Sequence, residues 1–295
     1  MNRRSFVLNS LACGLAGCAM TPESYLPQEG KGTYSESVQV SLADPHGRNF
    51  LSIRLCQYPE EGVAWIWAAL YLDGKLWKYQ NNSVRWSGSA SVKPEEQHAE
   101  YTATVGSTHI HYTRDGTNKA PERGKMVFSS EEGESISIEV EFSPAGQFVG
   151  LIPGRTEMFG AASATVLAGG KDASFSGPGQ WHEQQQTDPR FTTPFVYASL
   201  WGDGTYSTLL QTPKGSGGYL IRDGGVDVFS DATFGAPADV RDVHLVGRDG
   251  PGAAFQLKEV KPYYLEIYGK RWRGAFVKAD FLGAPVCGFA NTWKI

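Results

Sequence analysis

Apolar and polar residues alternate with a period of two over much of the sequence, a pattern typical of β-strands with one buried face. The clearest stretch covers residues 135–142, and its apolar positions are Ile136, Ile138, Val140 and Phe142. Residues 51–56 alternate in the same way. No apolar pattern of period 3.6 extends over ten residues, so the pattern predicts strands and no helices.

Turn-forming residues separate these stretches every 8–12 positions. Asp-Gly pairs at residues 73–74, 203–204 and 223–224 supply the positive φ angles that tight hairpins need. Successive hairpins build antiparallel meanders, so we expect an all-β protein made of sandwiches or up-and-down barrels.

An internal similarity predicts two related halves. Residues 67–76 align without gaps on residues 197–206, with matching Ala, Leu, Asp and Gly and with aromatic residues at equivalent positions. The offset suggests a tandem β-fold, with one domain over residues 34–165 and a second over residues 166–295. A chance similarity between two hairpins is the alternative.

The N-terminus resembles the signal of a bacterial lipoprotein. Arg3 and Arg4 precede a short apolar run, and residues 15–18 resemble a lipobox that ends at Cys18. The basic pair also resembles a twin-arginine export signal. These resemblances imply a signal peptide at 1–17, lipidation of Cys18 and a tether at 18–33. Because Ala19 is not the aspartate of an inner-membrane retention signal, we expect an exported chain on the periplasmic face of an outer membrane. A plain cleaved signal is the alternative.

Charge and cysteine content narrow the function further. Without the two signal arginines the chain has 27 − 2 = 25 basic and 31 acidic residues, a net charge of −6, and no basic tract. We therefore expect no nucleic-acid partner. Cys56 and Cys287 would be the remaining thiols of an exported chain, and either a disulfide between them or two buried free thiols fits the sequence.

The densest polar cluster lies at residues 177–191, where two glycines precede a His-Glu pair flanked by tryptophan and glutamine. An imidazole near a carboxylate is equipped for proton transfer. Neighbours in a strand point to opposite faces, so His182 and Glu183 would be partners only at a bulge. The alternative is a hydrogen-bonded polar plug between the two halves.

The same segment resembles the lipocalin-like superfamily of the AttH proteins and carotenoid 1,2-hydratases. The resemblance rests on Gly177, Gly179 and His182, followed by an aromatic strand that ends at Trp201 and by a turn at Asp203. It implies tandem lipocalin-like antiparallel barrels, an apolar ligand cavity, and acid-catalysed addition of water to an isoprenoid double bond.

We therefore expect the protein to bind a hydrophobic small molecule, isoprenoid or lipid-like, and to hydrate or isomerise it by proton transfer at His182. The expected catalytic residues are His182, Glu183 and Asp203. The expected ligand-binding residues are Gly177, Gly179, Trp181, Gln184, Tyr197 and Trp201. We expect no cofactor and no metal ion, and the oligomeric state stays open. A non-catalytic lipid carrier and a carbohydrate-active β-sandwich protein are the alternatives.

Three other features bear on these alternatives. His109 and His111 share one strand face and could hold zinc with a third ligand, but their neighbours are apolar, so both histidines are expected in solvent. Glu139 and Glu141 resemble a pair of glycosidase carboxylates, although they occupy the polar face of a regular strand. The first half also contains tryptophans that could line a sugar groove or a core, namely Trp65, Trp67, Trp77 and Trp86.

Overall fold

The computed structural model of the protein describes residues 34–59, 62–85, 95–149, 154–187 and 190–294. The signal peptide at 1–17, the lipidation site Cys18, the tether at 18–33 and Trp86 lie outside these residues. Over the described ranges the chain forms β-strands and turns, and no helix there has the length and hydropathy needed to cross a membrane.

The described chain contains eighteen strands. The first ten are β1 (Ser35–Ala43), β2 (Phe50–Tyr58), β3 (Val63–Leu72), β4 (Lys75–Arg85), β5 (His98–Val105), β6 (Thr108–Thr117), β7 (Ala120–Ser130), β8 (Ile136–Val149), β9 (Arg155–Ala168) and β10 (Lys171–Gln186). The other eight are β11 (Phe195–Trp201), β12 (Thr205–Thr212), β13 (Gly215–Arg222), β14 (Gly225–Phe234), β15 (Val240–Gly247), β16 (Ala253–Ile267), β17 (Lys270–Phe281) and β18 (Ala284–Trp293).

The first ten strands form one antiparallel sheet in the order β4-β3-β2-β1-β10-β9-β8-β7-β6-β5, which we call the first sheet. Its inner face forms a single apolar core, in which Tyr79 of β4 packs on Phe128 of β7 at 5.2 Å between ring centroids. The sheet is therefore rolled into a barrel-like shape. The predicted strand at 135–142 is confirmed, because its four apolar residues are buried in this core.

Strands β11 to β18 form a closed antiparallel barrel, which we call the second barrel. Its interior is filled by a core of its own, which includes Leu200, Phe229, Phe281 and Val277. The all-β, tandem lipocalin-like fold expected from the sequence is confirmed.

The internal similarity falls on the hairpins β3–β4 and β11–β12. Counted from these hairpins, β3–β10 and β11–β18 each contain eight strands, and in the second barrel β18 pairs directly with β11. In the first sheet the hairpin β1–β2 is inserted between β10 and β3. The turns at 73–74 and 223–224 have two positive φ angles each, as tight hairpins require.

The chain passes from the first sheet to the second barrel between Gln186 and Phe195. The expected boundary between residues 165 and 166 lies inside β9, about twenty residues too early. The reason is the long β9–β10 hairpin, whose strands pair continuously from Lys171 with Ala168 to Gln184 with Arg155.

The outer face of the first sheet packs against the outer face of the second barrel, and the contact forms a third apolar core. At its centre Phe50 of β2 stacks on Phe276 of β17, with 5.1 Å between ring centroids. At its edge Gln80 donates to the carbonyl of Glu266 at 2.6 Å and accepts from the Glu266 amide at 3.0 Å. The two halves therefore share a continuous interface of aromatic residues bordered by hydrogen bonds.

Of the two states that the sequence left open for Cys56 and Cys287, the disulfide is not formed, because both cysteines are free and buried. Cys56 lies near the end of β2, whereas Cys287 lies against Gly47, in the turn that precedes β2. Strand residues rise about 3.3 Å each, so the two thiols stand at opposite ends of β2. The structure therefore has two buried free thiols, as the alternative interpretation stated.

Candidate functional site

A cavity lies between the first sheet and the second barrel and has a volume of about 530 Å³, within the range of small-molecule sites. Its walls come from β1, β2, β9 and β10 of the first sheet and from β11, β12, β17 and β18 of the second barrel. The cavity implied by the family resemblance was apolar. Here the side facing the first sheet is polar and cationic, and aromatic residues line only part of the wall.

Strand register brings the polar residues of this wall together. Gln39 of β1 is opposite Arg54 of β2 and His182 of β10, and His182 is opposite Glu157 of β9. Residues directly opposite one another across antiparallel strands point to the same face, about 5 Å apart. One row across four strands therefore reads Arg54, Gln39, His182 and Glu157, and it faces the second barrel.

His182 is 1% exposed and lines the cavity. Arg155 Nη2 lies 3.4 Å from His182 Nδ1. A guanidinium can only donate, so Nδ1 is the acceptor and the ring proton belongs on Nε2. Burial lowers the pKa of His182 well below 6.5, and the charges of Arg155, Arg54 and Arg190 lower the pKa further. His182 is therefore a neutral imidazole, and within the described residues its Nε2 has no hydrogen-bond partner.

Glu157 is the centre of a buried hydrogen-bond cluster beside His182. Tyr197 donates to Glu157 Oε1 at 2.7 Å and Tyr219 donates to Oε2 at 2.6 Å. Arg155 Nε lies 2.6 Å from Oε1, and the Arg155 guanidinium stands 4.3 Å from the centre of the Tyr197 ring. Burial raises the pKa of Tyr197, and Arg155 opposes this effect. Tyr197 and Arg155 line the cavity, so these two side chains of the cluster can meet a ligand.

Two further arginines line the cavity. Arg190 donates to Ser35 at 2.6 Å, to Gln184 at 3.2 Å and to Ser37 at 3.4 Å. Arg54 also donates to Ser37, at 3.2 Å. Two guanidinium groups thus converge on the hydroxyl of Ser37, which carries no charge.

Apolar rings from the second half complete the cavity. Phe191 and Phe195, whose ring centroids are 6.2 Å apart, lie on the segment that leads into the second barrel. Trp293 Nε1 donates to the carbonyl of Phe191 at 2.9 Å and fixes this segment. Trp272 of β17 lines the cavity as well. The site therefore has one cationic wall and one aromatic wall.

Only some of the catalytic and ligand-binding residues expected from the sequence line the cavity. His182, Gln184 and Tyr197 line it. Glu183 points to the opposite face of β10, into the first sheet, where Arg114 Nε donates to its carboxylate at 2.7 Å. Trp181 occupies the same core and also donates to Glu183, at 3.2 Å. The expected partnership of His182 with Glu183 is not formed, because β10 has no bulge at this point.

The other expected residues lie away from the cavity. Trp201 is buried in the interface core, where it meets Phe289, and Asp203 is exposed in the β11–β12 turn. Gly177 and Gly179 pack against β1, since a Cβ at either would meet the carbonyl of Ala43 or Ser41 at 2.1 and 2.4 Å. Neither glycine can therefore serve the ligand directly.

The remaining candidate groups form surface pairs on the first sheet. His111 contacts Glu100 at 3.0 Å, and His109 contacts Thr104 at 3.1 Å. No cluster of three or more metal-ligating side chains occurs in the described part of the chain. Glu139 and Glu141 pair with Lys125 and Arg123 at 2.6 and 2.8 Å.

Two of the predicted groove tryptophans, Trp65 and Trp67, belong to the interface core, and Trp77 belongs to the core of the first sheet. These three side chains are less than a tenth exposed, so they do not line an open groove.

Sequence reasoning missed Glu157, Arg155, Arg54 and Arg190. A signal was available in β1, where polar residues alternate with apolar ones at Ser35, Ser37, Gln39 and Ser41. Such alternation normally indicates a solvated face. The structure buries this face under the second barrel, and a buried polar face is an indication of a site.

No family model matches the sequence, and no curated protein matches it. Solved structures do match. A candidate AttH from Nitrosomonas europaea is 13% identical, with a TM-score of 0.64 over 95% of this chain and 98% of that chain. CghA is 10% identical, with a TM-score of 0.62 over 89% and 88%. Kievitone hydratase from Nectria haematococca is 8% identical, with a TM-score of 0.52 over 99% and 96%.

The fold and the placement of the cavity define a tandem lipocalin-like β-protein with a cavity between its two halves. More particularly, the chain has the AttH-like lipocalin fold that these solved structures share. At 13% identity and below, this similarity concerns the fold.

Proposed function

We propose that the protein binds a small organic molecule in the cavity between its two halves and acts on it by proton transfer, in a reaction of the hydratase or isomerase type. The observation that carries this proposal is the neutral, buried His182, which lines the cavity together with Tyr197 and whose Nε2 has no hydrogen-bond partner among the described residues. The structural neighbours include a protein named as a hydratase, which supports the same reaction class.

In this proposal His182 donates a hydrogen bond from Nε2 to a ligand oxygen. Burial and, to a smaller extent, the surrounding arginines keep the imidazole neutral, so it polarises a carbonyl without carrying a full charge. This role replaces the proton shuttle expected from the sequence, which required Glu183 or Asp203 beside the imidazole.

Tyr197 is the proton-transfer group of the proposal, and Glu157 holds its phenol in place. In a hydration, the phenol first breaks its hydrogen bond to Glu157 and gives this one proton to a carbon of a double bond. The phenolate then regains a proton from the water that adds to the other carbon. The Arg155 guanidinium over the ring stabilises the phenolate that exists between the two steps.

The ligand is proposed to have a large apolar part, as expected for an isoprenoid or lipid-like molecule. Phe191, Phe195 and Trp272 offer ring surfaces to such a part. Aromatic side chains bury large areas and interact by stacking, which suits a flat or unsaturated ligand.

The proposal is tested by purifying the full chain, extracting it with organic solvent and identifying co-purified molecules by mass spectrometry. The wild type is compared with Tyr197→Phe, which removes the phenol, and with Leu210→Trp, which fills the cavity with an indole. We expect a small molecule from the wild type, a chemically different form from Tyr197→Phe, and none from Leu210→Trp.

A wild-type extract without a ligand, or equal recovery from Leu210→Trp, would contradict the proposed site. If Tyr197→Phe and His182→Gln both yield the same ligand form as the wild type, the protein is a carrier and the catalytic part of the proposal fails.

On the sequence alone we further propose that the chain is exported and lipid-anchored at Cys18. Metabolic labelling with radioactive palmitate should then label the wild type and leave Cys18→Ser unlabelled. Equal labelling of both chains, or of neither, would contradict the anchor.

A further inference from the structure

The cavity contains an excess of positive charge. Its described lining includes Arg54, Arg155, Arg190 and Lys214 and no aspartate or glutamate. Of these four cations, Arg155 is neutralised by Glu157 at 2.6 Å. Lys214 is exposed in the turn before β13. The uncompensated charge of the buried wall therefore belongs to Arg54 and Arg190.

Arg54 and Arg190 make hydrogen bonds only to neutral groups among the described residues, and neither forms an ion pair there. Arg190 is 6% exposed. Arg54 Nε is buried and has no hydrogen-bond partner within the described ranges. Buried charges are normally paired, because an unpaired charge loses its hydration without compensation.

A comparison of two arginines of the same wall shows the effect of pairing. Arg155 has Glu157 as a partner, and although burial lowers its pKa, the charges of Glu157 and two tyrosines raise it overall. Arg54 has no such partner among the described residues, and burial together with the charge of Arg190 lowers its pKa to about 10. The site at Arg54 and Arg190 is thus complementary to a negative charge that the described residues do not supply.

We propose that the ligand of the cavity is an organic anion, whose carboxylate or phosphate binds Arg54 and Arg190 while its apolar body lies against Phe191, Phe195 and Trp272. This inference rests on the proposed function and adds the chemical class of the ligand. Ser35 and Ser37 hold the two guanidinium groups in place. The remaining N–H donors of the guanidinium groups can bind two oxygens of one anionic group.

Two fluorescent probes that differ by one anionic group test the proposal. Anilinonaphthalenesulfonate and N-phenylnaphthylamine share the same aromatic body, and only the first carries a charge. Both are titrated into the full chain, and into Leu210→Trp to identify binding in the cavity. We expect the wild type to bind the sulfonate about tenfold or more tightly than the neutral probe, as for a hydrogen bond to a charged group.

Arg54→Gln should weaken sulfonate binding about tenfold and change neutral-probe binding less than about twofold. Arg54→Lys, which keeps the charge but not the fork of donors, should restore part of the affinity. Arg222→Gln is the control, because Arg222 ends β13 away from the cavity and its removal lowers the total charge equally.

The outcomes separate this inference from the proposed function. If both probes bind the wild type equally, or if Arg54→Gln leaves sulfonate affinity unchanged, the anion inference fails while the cavity stands. If neither probe binds, or both bind Leu210→Trp as well as the wild type, the small-molecule site fails too. Displacement of the sulfonate by naphthylacetate or naphthyl phosphate, compared with neutral naphthylacetamide, identifies the anionic group.

Discussion

His182 shows how the surroundings of one residue decide its chemistry. Because its folded-state pKa is depressed, the unfolded chain takes up a proton below pH 6.5 that the folded chain does not bind. The stability of the fold therefore falls as the pH decreases from 6.5 towards the lower folded-state pKa.

His182→Gln should remove this contribution. Urea titrations of the ligand-free protein should give a free energy of unfolding whose acid slope is shallower in the variant, by up to about 1.4 kcal/mol per pH unit. His244→Gln is the matched control, because His244 is exposed on β15. Equal acid slopes in the wild type and in His182→Gln would contradict a neutral, buried imidazole.

Arg114 and Glu183 test a second buried charge, in the core of the first sheet. Each side chain is 1% exposed and their atoms are 2.7 Å apart. Glu183→Gln leaves the guanidinium without its anion, so we expect a loss of about 3–5 kcal/mol of stability. The exposed pair Arg123 and Glu141, on the same sheet at 2.8 Å, is the control. Glu141→Gln should cost about 1 kcal/mol or less.

If Glu183→Gln and Glu141→Gln unfold at the same urea concentration, the larger contribution assigned to the buried ion pair is contradicted. The double variant Arg114→Met with Glu183→Leu should lose less than the sum of the two single losses, since neither charge then remains unpaired.

At the residue scale, the sequence could indicate His182, Gln184 and Tyr197, because imidazole, amide and phenol groups are chemically distinctive. The sequence could not show to which face of the sheet the Glu183 side chain points, because this depends on whether β10 contains a bulge. It also could not indicate Glu157, whose role depends on Tyr197 and Tyr219 arriving from the second barrel.

At the scale of strands, local patterns predicted much of what is observed. Period-two alternation and Asp-Gly turns depend on neighbours in sequence, and both appear in β8 and in the β3–β4 hairpin. The length of the β9–β10 hairpin was not predictable in this way. It depends on pairing between distant residues, and so the expected boundary fell inside β9.

Gly179 permits the close pairing of β10 with β1. A Cβ there would meet the Ser41 carbonyl at 2.4 Å. We expect Gly179→Ala to lower stability by about 1–3 kcal/mol in thermal or urea unfolding, because the strands must separate. Gly250→Ala is the control, since a Cβ at Gly250 meets nothing within 4 Å, and its effect should stay within about 0.5 kcal/mol. Equal effects of the two substitutions would contradict this packing.

At the scale of the whole molecule, the two halves should unfold together because they share one interface core. Five of the seven described tryptophans, namely Trp65, Trp67, Trp201, Trp272 and Trp293, belong to this interface core, so tryptophan fluorescence reports mainly on it. Fluorescence and far-UV circular dichroism should give coincident transitions for the wild type.

Phe50→Ala should lower stability by about 3–5 kcal/mol and separate the two transitions, because it removes the ring stacked on Phe276. Phe128→Ala removes the same ring from the core of the first sheet and is the control for a loss of packing alone. Separated transitions in the wild type would contradict a shared core.

The arrangement of the halves is also what the sequence could not predict. The alternation in β1 gives this strand one apolar and one polar face, but only the docked second barrel makes the polar face a buried one. The location of the cavity follows from this docking, and no local pattern encodes it.

Because both halves contribute residues to the cavity wall, a bound molecule would contact both halves and hold them together. Its binding free energy would stabilise the state in which the two halves are docked and would not stabilise a state in which they are separated. The affinity for a ligand then depends on the interface between the halves as much as on the residues that line the cavity. Gln80→Ala, at the edge of the interface, would remove hydrogen bonds between the halves and so weaken the binding of a ligand that Gln80 does not contact.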